Sequence, residues 1–222
     1  MKFELKTKTT RKNAKQYYFV DGVEVPRVTE VIGQIVPPGL LNWYASKTPD
    51  EIKETRRTSL STGSNLHELM EAVLLHGFNE KMRQTPFGDV LEAYSKWIAT
   101  NKVKPVKTEE YVYDIVGGKY GYAGRTDAIV EIDGELALID YKTSTGSEAY
   151  ESHWQQLAAY AGAYPDDIKR VIVLVIEKCK DGTFALHPHE LVGDQRKPYY
   201  EMFIHLLKYY LLVKEANKKV SK

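Results

Sequence analysis

Apolar residues along this chain follow two periods. Leu66, Leu69, Met70, Val73 and Leu74 recur at helical spacing, Gly77 closes the run, and Thr62 or Ser64 is placed to cap its start. A second amphipathic helix carries Val90, Leu91, Tyr94, Trp97 and Ile98 on one face. Residues 150–164 and 199–219 pattern as two more helices. Shorter helical pieces are expected over 28–36 and 40–48, on either side of Pro37-Pro38-Gly39. Strand patterns fill much of the rest. Residues 17–26 read as a small hairpin around Asp21-Gly22, and residues 109–116 as a strand ending at Gly117-Gly118. Residues 122–132 and 135–144 then form two arms around Asp133-Gly134. Residues 169–178 are almost continuously apolar, which suits a strand with neighbours on both sides, and 181–191 would return antiparallel beside it.

This order predicts an α/β fold: a single domain with a central mixed β-sheet flanked by helices. Its parts are a basic N-terminus over 1–15, free to be flexible, and one domain over 16–215. Within that domain, 16–105 hold the first hairpin and helices, 106–192 the sheet core, and 197–217 the C-terminal helix. No internal repeat or low-complexity linker interrupts it.

Composition narrows the chemistry. Of 222 residues, one is cysteine, Cys179, so a disulfide framework and a four-cysteine metal or iron–sulfur site within the chain are excluded. Any metal must be held by oxygen and imidazole. The N-terminus lacks the apolar core of a secretory signal, and no apolar run is long enough to span a bilayer, so a cytoplasmic protein without a membrane partner is expected. The net charge of +1 hides an asymmetry. Residues 1–15 carry six Lys/Arg against one acid, residues 195–222 carry seven against two, and the stretch between is net −9. Basic ends around an acidic middle suit a polyanion approaching a cation-binding centre, or two solvated tails.

The arms around Asp133-Gly134 pose a specific question. Asp-Gly favours a two-residue type I′ turn, and that register sets Asp127 opposite Asp140 on one sheet face. Like charges so close destabilise a sheet unless a cation lies between them. Two convergent carboxylates suit a hard divalent ion, Mg²⁺ or Mn²⁺. Strand alternation puts Lys142 on the same face. Tyr141 points the other way, with its carbonyl still near the site. An ammonium beside such an ion can orient water and neutralise charge on a phosphate. Aspartate, aspartate and lysine around a metal make a phosphodiester-hydrolysis centre.

These residues carry a family resemblance. "GRTD", twelve residues, then "DYK" resembles the PD-(D/E)XK nuclease superfamily, with Asp127, Asp140 and Lys142 in the motif positions and no proline before the first acid. "GSNLHELME" resembles the histidine motif of the RecB-type branch, with His67 as ligand, and "QLAAY" its Gln-x-x-x-Tyr motif, Gln156 to Tyr160. "VPRVTEVIGQIV" and "LLNWYA" resemble the N-terminal segment of phage-type and mitochondrial-maintenance-type exonucleases. The resemblance implies a restriction-endonuclease-like core. It also implies a metal held by His67, Asp127, Asp140 and the Tyr141 carbonyl, with Lys142 positioning water. Gln156 and Tyr160 would brace the lysine or touch the phosphate. Single-cysteine content sets the chain apart from relatives that carry an iron–sulfur cluster.

The implied function is a divalent-metal-dependent DNA nuclease, an exonuclease of phage or bacterial recombination, replication or repair. It would act on DNA with a free end, single- or double-stranded, alongside a recombination or replication partner. A non-catalytic DNA-binding subunit and a structure-selective endonuclease are the competing readings.

Other residues join as candidates. His67 is expected near the start of its helix, where free N–H groups favour phosphate, with Glu71 orienting its ring. His153 shares the face of Gln156 and Tyr160 and is a candidate to reach nucleic acid, as are Thr143 and Ser144; Arg125 is a candidate to pair with phosphate and equally to form a surface salt bridge. Glu110 is a candidate acid for a second metal, and equally a surface carboxylate at a strand end. His187 and His189 bracket a proline without a visible third ligand. Trp43, Trp97 and Trp154 read as core.

Overall fold

The computed structural model describes residues 1–9 and 14–220. Strands β1 (Phe3–Thr9), β2 (Ala14–Val20) and β3 (Val23–Val25) form a small antiparallel sheet. The expected hairpin is β2–β3, and Asp21 and Gly22 both take the positive φ of its turn, 48° and 77°. Part of the basic N-terminal segment is thus strand, with Phe3 stacked on Tyr111 and Tyr113; residues 10–13 lie outside the described residues.

Helices α1 (Val28–Ile32), α2 (Pro38–Ala45) and α3 (Pro49–His76) follow. Here the structure corrects a boundary. Neither Thr62 nor Ser64 is an N-cap, because the helix starts fourteen or more residues earlier, at Thr48. The Thr48 hydroxyl accepts from the Glu51 amide at 3.3 Å, and the Glu51 carboxylate accepts from the Thr48 amide at 2.9 Å. The polar run through Ser64 is tolerated because it is largely solvent-facing and locally paired, as in Arg57–Glu54 at 2.9 Å. His67 consequently sits deep inside a 28-residue helix, where the backbone N–H groups are already spent.

The chain continues through α4 (Glu80–Arg83), α5 (Gly88–Thr100), β4 (Lys104–Thr108), β5 (Tyr111–Val116), β6 (Tyr120–Arg125), β7 (Ala128–Ile132) and β8 (Glu135–Ser144). It ends with α6 (Glu151–Ala163), β9 (Arg170–Lys178), β10 (Phe184–Val192) and α7 (Lys197–Val220). The central sheet runs β10-β9-β8-β7-β4. Only β8 and β9 are parallel, joined through α6, so the sheet is mixed as expected. Apolar residues cover both faces. Ile129, Leu138, Val171, Val173 and Val175 pack under α1, α6 and α7; Val130, Ala137, Ile139, Ile172 and Leu174 pack under α3 and α5. The apolar run over 169–178 has this cause: β9 is covered above and below.

The arms around Asp133-Gly134 keep the expected register, Ile132 against Glu135 and Ala128 against Ile139. Both turn residues have positive φ, 52° and 82°. The first arm, however, is two strands. Residues up to Arg125 pair with β5 in a separate two-stranded sheet, and only from Ala128 does the chain join the central sheet. Asp127 stands at that joint. Its carbonyl accepts from the Glu109 amide, and the Thr126 amide donates to the Glu110 carbonyl. Those bonds fix the place where the chain leaves one sheet for the other.

Candidate active site

The two aspartates meet where β7 begins and β8 leaves the hairpin ladder. Asp127 lies one position beyond the ladder, and its Oδ2 accepts from the Tyr141 amide at 2.8 Å. A side chain thus takes over where backbone pairing stops. Asp140 is almost wholly buried, 1% exposed. Its Oδ2 lies 2.7 Å from Lys142 Nζ, and its Oδ1 accepts from Gln156 Nε2 at 3.0 Å. Gln156 also accepts from Lys142 through Oε1 at 3.2 Å, and Nε2 lies 3.1 Å from the Tyr160 hydroxyl. One amide on α6 therefore ties the acid, the ammonium and the phenol together. The i, i+4 spacing of Gln156 and Tyr160 makes this possible from a single helix face.

His67 reaches the cluster from α3, with Nδ1 3.8 Å from Asp127 Oδ2 and its ring edge-on to Tyr141. Tyr141 points to the opposite sheet face, as strand alternation requires, and its hydroxyl meets that of Tyr94 at 2.7 Å in the core. That buried pair anchors the strand segment carrying Asp140 and Lys142.

Electrostatics in the cluster are those of two acids sharing one ammonium. Burial, then the charge of Asp140, pushes the Asp127 carboxyl up to about 7. Burial disfavours charge on Lys142, but Asp140 and Asp127 outweigh it together and hold the lysine above its ordinary value. Burial lowers His67, with Asp140 and a hydrogen bond to the Tyr141 backbone opposing the shift and Lys142 adding to it.

The PD-(D/E)XK nuclease superfamily matches residues 79–175, which include both aspartates, Lys142, Gln156 and Tyr160. That match covers less than half of the chain. A solved structure titled "Crystal structure of SSO0001" is 19% identical, covering 85% of this chain and 76% of its own, with a TM-score of 0.49. None of the curated proteins compared with the chain matches it.

The remaining candidates divide. His153 joins the cluster from α6, within the fields of Lys142 and Asp140. Thr143 is exposed beside α3, with Gly63 close to its hydroxyl. Ser144 is turned to the following loop, accepting from the Gly146 amide at 3.2 Å. Arg125 is paired with Glu109 at 2.5 Å. Glu110 is not drawn in: its carboxylate binds Lys107 at 2.8 Å. The acid whose charge does reach Asp127 is its neighbour Glu109, at φ 53°. The charge of Glu71 acts on both Glu109 and Tyr141. His187 binds Glu177 at 2.9 Å and His189 the Ser147 carbonyl at 2.6 Å, so neither belongs to the site.

One site-forming residue had only a faint signature. A Cβ on Gly124 would fall 2.2 Å from the Tyr160 ring, so a glycine in β6 is what lets Tyr160 reach Gln156.

The donor set fits a hard divalent ion, although no three His, Cys, Asp or Glu side chains among the described residues close into a ready cage. Asp140 Oδ2 is buried, with the Lys142 ammonium 2.7 Å away. The single Lys142 ammonium offsets only one of the two acids, and the net negative charge left over is what a divalent cation would complete.

Proposed function

We propose that this protein is a divalent-metal-dependent DNA nuclease, acting as an exonuclease on DNA with a free end. The observation that carries the reading is the joint placement of Asp127, Asp140 and Lys142, two acids with one ammonium between them. Asp127, Asp140, His67 and the Tyr141 carbonyl would hold Mg²⁺ or Mn²⁺, which supplies Lewis-acid stabilisation of phosphate charge and a more acidic water.

The protein's own groups supply the rest. Lys142 stays an ammonium between the carboxylates, placed to orient the attacking water and offset charge on the phosphate. Gln156 fixes the Lys142 ammonium and the Asp140 carboxylate relative to each other, which pre-organises the pair. Tyr160 holds Gln156 from the far side. Exonuclease rather than endonuclease action, and a role in phage or bacterial DNA recombination or repair, rest on resemblance to the RecB-type branch.

The test is incubation with end-labelled linear and circular DNA, single- and double-stranded, in Mg²⁺, Mn²⁺ or EDTA. Metal-dependent loss of linear DNA with circles spared is expected. Cleaved circles would make it an endonuclease. DNA binding without cleavage in either metal would make it a non-catalytic subunit.

A further inference from the structure

His153 has a geometry that the hydrolytic set does not use. It is the third residue of α6, one turn before Gln156 and two before Tyr160, on the same helix face. Its Nδ1 accepts from the Tyr150 backbone N–H at 3.2 Å, and its ring lies edge-on to that of Tyr150. A ring nitrogen that accepts a hydrogen bond carries no proton, so the neutral ring's proton is on Nε2. Among the described residues Nε2 makes no hydrogen bond, and the charges of Lys142 and Asp140 both act on the ring. Burial first, and the Lys142 ammonium second, hold the imidazole down to about 4, which keeps it neutral throughout the neutral range.

The result is a fixed, uncharged N–H donor one helical turn from Gln156, the residue that holds the Lys142 ammonium at 3.2 Å. Donor and cation together match a group with several acceptor oxygens and negative charge. A carboxylate or a metal is a poor match, since Nε2–H has no lone pair to offer.

We infer that His153 Nε2–H binds a phosphate oxygen of the DNA strand lying over Lys142, and so sets the register of the strand in the site. This rests on the nuclease reading above. It assigns His153 to substrate binding and not to the metal.

The test separates the two ring nitrogens. Asparagine reproduces the position of Nδ1, and glutamine that of Nε2. Binding of a labelled DNA oligonucleotide is measured in EDTA over a range of salt, for wild type, His153→Asn and His153→Gln, with thermal melts of each. The expected result is affinity weakened roughly tenfold in His153→Asn and nearly preserved in His153→Gln. The slope of log affinity against log salt should be unchanged, because a neutral donor displaces no counterion; Lys142→Met should lower it by about one. Equal affinity for His153→Asn and wild type, or equal losses in both variants, would overturn the assignment and leave His153 as a helix-start residue. Wild-type protein that binds no DNA would overturn the nuclease reading itself.

Discussion

The Asp127 carboxylate accepts a hydrogen bond from the Tyr141 amide at 2.8 Å. That contact carries the hairpin ladder one step past its last backbone pair and brings Asp127 level with Asp140. Asparagine can accept the same bond without the charge. Asp127→Asn should therefore fold, melting no lower than wild type without metal, while cleavage falls by more than about a hundredfold. Melting curves in EDTA and cleavage rates in Mg²⁺ check both halves.

Asp127 also predicts a pH dependence. Its folded value near 7 lies above that of an unfolded aspartate, about 3.9. A raised acid adds stability that is complete below the unfolded value and lost as pH rises through the folded one. In EDTA, wild type should lose stability relative to Asp127→Asn between about pH 4 and pH 8. Urea unfolding across that range measures it, and a constant difference would refute the shift.

Removing the ammonium should uncover the repulsion it offsets. Lys142→Met leaves Asp140 buried beside Asp127 without its cation, at a cost of about 3 kcal/mol. Melting temperature should fall in EDTA and recover partly on adding Mg²⁺ or Mn²⁺. A variant insensitive to both would show that no cation belongs between the aspartates.

Gly124 tests the support of the site from behind. A methyl group there meets the Tyr160 ring, so Gly124→Ala should cost about 1–3 kcal/mol and slow cleavage by displacing Tyr160 from Gln156. Adding Tyr160→Phe should reduce activity no further, because the contact is already lost. Double-mutant kinetics decide this.

Much of the site could be read from residue spacing because strand alternation and turn chemistry are rigid rules. Asp133-Gly134 set the register, and the register set Asp127 and Lys142 against Asp140. The mixed sheet followed from the same reasoning, through the buried run of β9. What escaped was decided at a distance. The start of α3 lies at Thr48 because an exposed polar helix needs only local caps and ion pairs, which apolar periodicity does not mark. Glu109 and not Glu110 faces Asp127 because a left-handed backbone at Glu109 turns the chain between two sheets, and nothing local forecasts that turn. The buried Tyr94–Tyr141 pair joins residues 47 apart. Gly124 mattered only through an aromatic ring on another helix.

The most direct test of the central claim compares wild type and Lys142→Ala on one end-labelled linear DNA in Mg²⁺, with far-UV circular dichroism on both. The account predicts wild-type cleavage that EDTA abolishes, and a variant slowed by more than about a hundredfold with its helix content intact. Cleavage by the variant at the wild-type rate would contradict it.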